Sequence, residues 1–575
     1  MPGSRRHAAL LFALAPAALS LSCAENKPAS QEIANSTGGA ANAADGSASG
    51  AANTPGTGGS SGDPTGAVQP LRRLTHEEYN NTVRDLLGDT TRPADAFPGE
   101  TSGGSGYSTP GTFSNIDARS YLDAAESLAA SAALRTADLA PCTAGQTGES
   151  ACFDAFLSKF GRAAFRRPLT DAERAELTGV YATFRAVPET TYADGIQVVL
   201  SAMLQSPQFL YHWELGATPA GVPGPGKLIA LTDYELASRL SYFLWSSMPD
   251  EALLSRAEAH ALTRPSELAA EAQRMLLDPR ARATVRDFHR QWLDLDSLAH
   301  NVKDPVAFPG YTNELRQSMR EETMAFVESV FFEGNARFDT LMTAPFSFLN
   351  ESTAKLYGIA GVTGNALRRV ELKSSERAGL LTQASILSTH ANAYEGSAIL
   401  RGKLIREHFI NCSPLPPPPN NVPKLPAPVA GVSQREQLAM HSTVEPCRTC
   451  HSLMDPIGFG FSNYDAIGGV IPAAGPTPID TTGFIEGLDG ARVSFSGAPE
   501  LAALLAQSEQ VRRCMARQWF RFALRRAEVS EDGPSLDASY QSFAASGFDL
   551  TKLLISIAES PAFRLRKVAT GEVTQ

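Results

Sequence analysis

From Leu71 onward the apolar residues of this chain recur at helical spacing. In Leu74-Thr75-His76-Glu77-Glu78 a threonine able to cap a helix stands three residues before a glutamate able to reach back to it. Tyr79, Val83, Leu86 and Leu87 follow at intervals that share one helical face, and Gly88 is placed to end the helix. The same arrangement returns at Thr170 with Glu173, ahead of Leu177, Val180 and Tyr181, and at Thr232 with Glu235, ahead of Leu236, Leu240, Phe243 and Leu244. Their separation is irregular, so they predict three helix starts rather than a repeat. Helical periodicity also covers 314–332 and 378–387, and the predicted body is mainly α.

Two stretches break this pattern. Residues 24–67 are nearly all Gly, Ala, Ser, Thr, Asn and Pro, too poor in apolar surface to offset the entropy of ordering, and read as a disordered tether. Before them, Arg5 and Arg6 precede an apolar run over 8–21 that is too short to span a bilayer and has the layout of an export signal. Ser20-Leu21-Ser22-Cys23 is similar to a lipoprotein cleavage box, which makes Cys23 a lipidation candidate. Export with a lipid anchor at the outer membrane, and a periplasmic or cell-surface location, are the expectations.

Near the other end, 479–483 and 491–495 read as the arms of a short β hairpin. A strongly amphipathic helix follows, with Val511, Cys514, Met515, Trp519, Phe522 and Ala523 on one face and Arg512, Arg513, Arg517, Arg521 and Arg525 over much of the rest. Proline-rich 414–428 predicts an extended strap over the surface. Aromatic runs such as Tyr211-His212-Trp213 and Tyr242-Phe243-Leu244-Trp245 read as core.

With 575 residues, 43% of them hydrophobic and 19% charged, the chain can build more than one packed unit. Its formal net charge is −11, and −13 without Arg5 and Arg6, which disfavours nucleic acid as a partner.

Candidate chemistry concentrates in Cys447-Arg448-Thr449-Cys450-His451. A C-x-x-C-H string is the attachment signature of c-type haem: two thiols add to the vinyl groups and the adjoining histidine becomes the proximal ligand of the iron. With 7 Cys and 10 His, chance placement gives about 0.0015 such strings, so an accident is disfavoured. The competing readings are a disulfide, a thioredoxin-like redox pair, or part of a zinc site. Of the other cysteines, Cys142 and Cys152 bracket a Gly- and Thr-rich turn and are expected to staple it, and Cys412 and Cys514 remain as a second candidate disulfide. Asp455-Pro456-Ile457-Gly458-Phe459-Gly460-Phe461 reads as a glycine-punctuated aromatic loop beside the motif, and Asp455 and Asp465 as turn formers or partners for arginine.

The segments LRRLTHEEYNNTVRDLLG from Leu71, RAAFRRPLT from Arg162, LRGKLIRE from Leu400, CRTCHSLMDPIGFGF from Cys447 and QWFRFALRR from Gln518 resemble the planctomycete-type cytochrome c-like multi-module proteins of unknown function. The resemblance implies helical modules at 68–135, 140–218, 228–360 and 473–570, with a cytochrome c-like haem-attachment module at 374–472. It also implies Cys447 and Cys450 as thioether positions of haem c and His451 as proximal ligand. Met515, His390 and His441 are candidates for the distal position, and an open sixth position would make the haem catalytic. No HExxH, phosphate-loop or dinucleotide fingerprint is present, and GxSxG occurs only at 58–62 within the Gly- and Ser-rich tether, so an electron carrier with an unknown redox partner protein is expected rather than a hydrolase. The alternative is a structural or interaction protein with zinc or disulfides at Cys412, Cys447, Cys450 and Cys514.

Overall fold

In the computed structural model each of the three threonines caps a helix. Thr75, Thr170 and Thr232 accept from the backbone N–H of Glu78, Glu173 and Glu235, and each glutamate reaches back to its cap, starting helices His76–Leu87, Asp171–Arg185 and Asp233–Trp245. Gly88, at φ 70°, ends the first of them. The structure describes residues 67–68, 71–139, 148–216, 226–416, 432–441, 445, 447–472 and 478–569, without the side chains of Met440 and His441. The export signal, Cys23, the tether, Cys142 and most of the proline strap lie outside them.

Helix dominates, and four two-stranded antiparallel sheets supply the strands among the described residues. Helices His76–Leu87, Asn115–Ala133, Glu149–Phe156, Asp171–Arg185 and Tyr192–Gln205 surround one core, with Tyr79, Val83, Phe156, Leu200 and Phe209 at its centre. A larger core collects Trp245, Phe288, Phe326, Phe409, Ile457, Phe461 and Trp519. Segments far apart in the chain thus share one interior. Strand pairing spans similar distances, since Leu228–Ala230 runs antiparallel to Leu565–Lys567.

Three local expectations change. Gln383 is extended, at φ −72° and ψ 143°, so 378–387 is a short turn at Leu380–Thr382 followed by a helix Ala384–Thr389. The hairpin pairs Thr482–Leu488 with Ala491–Ser496, its first arm starting three residues later than the apolar pattern suggested. Finally, 455–461 is no loop: the helix beginning at Cys447 continues through Pro456 to Gly458. No described helix is long and apolar enough to cross a membrane.

Candidate functional site

The motif lies on helix Cys447–Gly458, which crosses helix Ala398–Leu404 almost backbone to backbone. Gly402 and Gly458 permit the approach. A Cβ on Gly402 would stand 2.7 Å from the Met454 carbonyl carbon, and one on Gly458 would stand 2.6 Å from Ala398 Cα. Gly402 meets Met454 and Ala398 meets Gly458, so the two helices run antiparallel. Spacing of three and four residues places Cys447, His451, Met454 and Gly458 along this seam.

Cys447 and Cys450 are free thiols, both half-buried, one helical turn apart. His451 has its Nδ1 3.1 Å from both carboxylate oxygens of Asp455, one turn further on. Asp455 is only 2% exposed, so this contact is shielded from water. Asp455 is not the turn former or arginine partner expected of it: continuation of the helix through Pro456 puts it at i+4 from the histidine. Asp465 does form a turn, accepting from the backbone N–H of Ile467 and Gly469 at 2.9 and 2.8 Å.

A buried arginine organises the chain after the motif helix. The Arg401 guanidinium donates to the carbonyls of Phe461, Tyr464 and Leu387 at 3.0 Å and of Asp465 at 2.7 Å. Burial holds its pKa down to about 10, so it keeps its charge at neutral pH. Arg377, also buried, lies 3.7 Å over the Tyr357 ring and donates to Gly468 O, tying the same loop to the central helices. At the hydroxyl end of that ring lies Glu322, fully buried, accepting from Ser347 Oγ at 2.7 Å and from Tyr357 Oη at 2.8 Å. Burial raises its carboxyl to about 7, against the opposing pull of those hydroxyls.

Cys412 and Cys514 form a disulfide with Cα atoms 5.5 Å apart. It joins the segment after the motif's partner helix to the arginine-rich helix Glu509–Leu524. Cys152 is buried, and its expected pairing with Cys142 lies outside the described residues.

The distal candidates fall in different places. Met515 is 2% exposed within the larger core. His390 is pushed down to about 3 by burial and then by His408, with Arg401 and Lys403 also near; its Nε2 has no hydrogen-bond partner among the described residues. His441 ends a helix, Gln434–His441, that packs against the motif helix. Phe459 and Phe461, the aromatics of the expected loop, are buried in separate clusters, Phe459 with Ala398 and Leu438, Phe461 in the larger core. A cavity of about 570 Å³ opens past Gly458, lined by residues including Gly396, Arg435, Tyr464 and Asp480, but not by Cys447, Cys450 or His451. Among the described residues no group of three or more His, Cys, Asp or Glu side chains is arranged to hold a metal ion.

Five family models match in succession. Protein of unknown function (DUF1587) matches 72–134, DUF1595 matches 152–214, DUF1592 matches 231–359, DUF1588 matches 377–472 and DUF1585 matches 492–563, each of the same description. The chain thus carries five planctomycete-type modules of unknown function in succession. The motif helix and its glycine seam lie inside the fourth module, and the Cys412–Cys514 disulfide joins the fourth to the fifth. Neither a curated protein nor a solved structure matches this multi-module chain.

Proposed function

We propose that the multi-module chain is a c-type haem protein that transfers electrons at the cell envelope. The observation that carries this reading is the donor set of one helix: two free thiols a turn apart and an adjoining histidine whose Nδ1 faces a carboxylate. That set fits the group, because the thiols are reduced and half-buried and the imidazole is oriented by Asp455, which designates Nε2 for a metal. Cys447 and Cys450 would hold haem c by thioethers, and His451 would hold its iron. Bound there, the haem supplies one-electron redox chemistry.

The chain's own residues then have definite tasks. Asp455 fixes the tautomer and orientation of His451. Gly402 and Gly458 bring the helix carrying both against its neighbour, and Arg401 fixes the loop that follows. For the distal position, His441 has the support of a helix packed on the motif helix, while Met515 sits in the filled core. The Cys412–Cys514 bond takes two sulfurs out of a four-cysteine zinc site and is compatible with an oxidising compartment, in keeping with export. The family of the fourth module is named PSCyt3, a cytochrome label over the residues that hold the motif.

The test is the visible spectrum of oxidised and dithionite-reduced protein, exported in a host that matures c-type haem, beside its denatured mass. Sharp bands on reduction and one added haem are expected. A colourless protein of apoprotein mass, from a host shown to mature another c-type cytochrome, overturns the reading.

A further inference from the structure

Asp455 has no place in the C-x-x-C-H signature, yet its carboxylate meets the motif histidine. Both of its oxygens stand 3.1 Å from Nδ1, so the carboxylate straddles the N–H rather than touching it at one corner. It is 2% exposed, and the imidazole beside it retains only 13% of its side-chain exposure. Both residues belong to one helix, four positions apart, so their relative placement is set by helix geometry. The helix is itself pinned at the Gly402 and Gly458 crossing.

We propose that Asp455 is a positioning residue that sets the redox potential of the site by hydrogen-bonding His451 through a carboxylate. The inference rests on the haem reading above. A carboxylate accepting the Nδ1 proton raises the basicity of the other ring nitrogen more than a neutral acceptor does. A more basic axial nitrogen favours the ferric over the ferrous state, and a shielded site strengthens the effect by lowering the local dielectric. The consequence is a lower midpoint potential than the same helix would give with a neutral acceptor at 455.

Asp455→Asn separates charge from orientation, because the amide oxygen can still accept the proton at nearly the same place. At a fixed ambient potential the ferric-to-ferrous ratio of the variant should fall at least tenfold, which is 59 mV for a one-electron couple. Spectroelectrochemical titration reads this directly. Covalent haem in both proteins with equal midpoints overturns the role of Asp455 and leaves the haem reading standing. No covalent haem in the unaltered protein removes the haem reading and this inference with it. Where the variant fails to accumulate, the Nδ1 proton of His451 in the reduced unaltered protein decides by NMR. Slow exchange with solvent is expected of a shielded proton held by a carboxylate, and exchange as fast as that of a solvent-exposed imidazole overturns the proposal.

Discussion

Replacing Gly402 with alanine adds one methyl group at the tightest point of the helix crossing. The new Cβ would lie 2.7 Å from the Met454 carbonyl carbon, with the carbonyl oxygen nearer still, whereas ordinary contact begins at 3.4 Å. The helices must therefore part by about 0.7 Å or more, and a gap of that size forfeits roughly a quarter to a half of the dispersion attraction across it. Overpacking of this kind costs about 1–3 kcal/mol and sometimes more. Against it stands a gain of up to about 1 kcal/mol, because alanine favours helix over glycine. With the carbonyl oxygen so close the cost falls at the upper end of that range, and the expected net loss is about 2 kcal/mol, concentrated where the two helices touch. Hydrogen exchange read by mass spectrometry on the peptide spanning 447–458 should then accelerate roughly 30-fold. Gly179 is the control: it is exposed within helix Asp171–Arg185, and nothing lies within 4 Å of an added Cβ. Gly179→Ala should slow exchange in its own helix, with a gain of about 0.5–1 kcal/mol. Unchanged exchange over 447–458 in Gly402→Ala, with Gly179→Ala behaving as described, would refute the close-crossing argument.

Glu322 predicts a pH dependence of definite sign. Its folded pKa of about 7 lies above the unfolded value near 4.5, so the folded state holds the extra proton between those values. The associated stability is present below about pH 4.5, is lost as pH rises toward 7, and amounts to roughly 3 kcal/mol. Glu322→Gln should abolish this component, so the urea midpoint of the variant should gain on the parent as pH rises from 4.5 to 7; parallel curves would contradict it. The Cys412–Cys514 bond closes a segment with a sequence separation of 102, and the double serine variant should lose about 2–4 kcal/mol in denaturant unfolding. A denaturation curve indifferent to the double substitution would show that the bond constrains nothing the fold does not already fix.

The helix starts at Thr75, Thr170 and Thr232 were legible because a capping box is a local device whose partners are three residues apart. The buried face of helix Glu509–Leu524 was legible for a similar reason: apolar residues at helical spacing identify it without knowledge of what covers it. Arg401 and Glu322 were not legible. Charged residues within helical patterns ordinarily face water, and only the carbonyls of Leu387, Phe461, Tyr464 and Asp465, or the hydroxyls of Ser347 and Tyr357, make their burial tolerable. Those partners are distant in sequence. The His451–Asp455 pair was hidden differently, by reading Pro456 as the start of a loop. Proline usually ends a helix, but here the helix runs past it, and that continuation puts the carboxylate one turn beyond the histidine.

The disulfide also bears on the order in which the chain becomes correct. Along the chain Cys447 and Cys450 lie between Cys412 and its partner Cys514, so the motif thiols are nearer to Cys412 in sequence than the cysteine it pairs with. Four cysteines admit three complete pairings, and two of them consume the motif in cross-links to its neighbours. Keeping the motif thiols out of those cross-links leaves Cys412 for Cys514 on helix Glu509–Leu524, the pairing the fold contains.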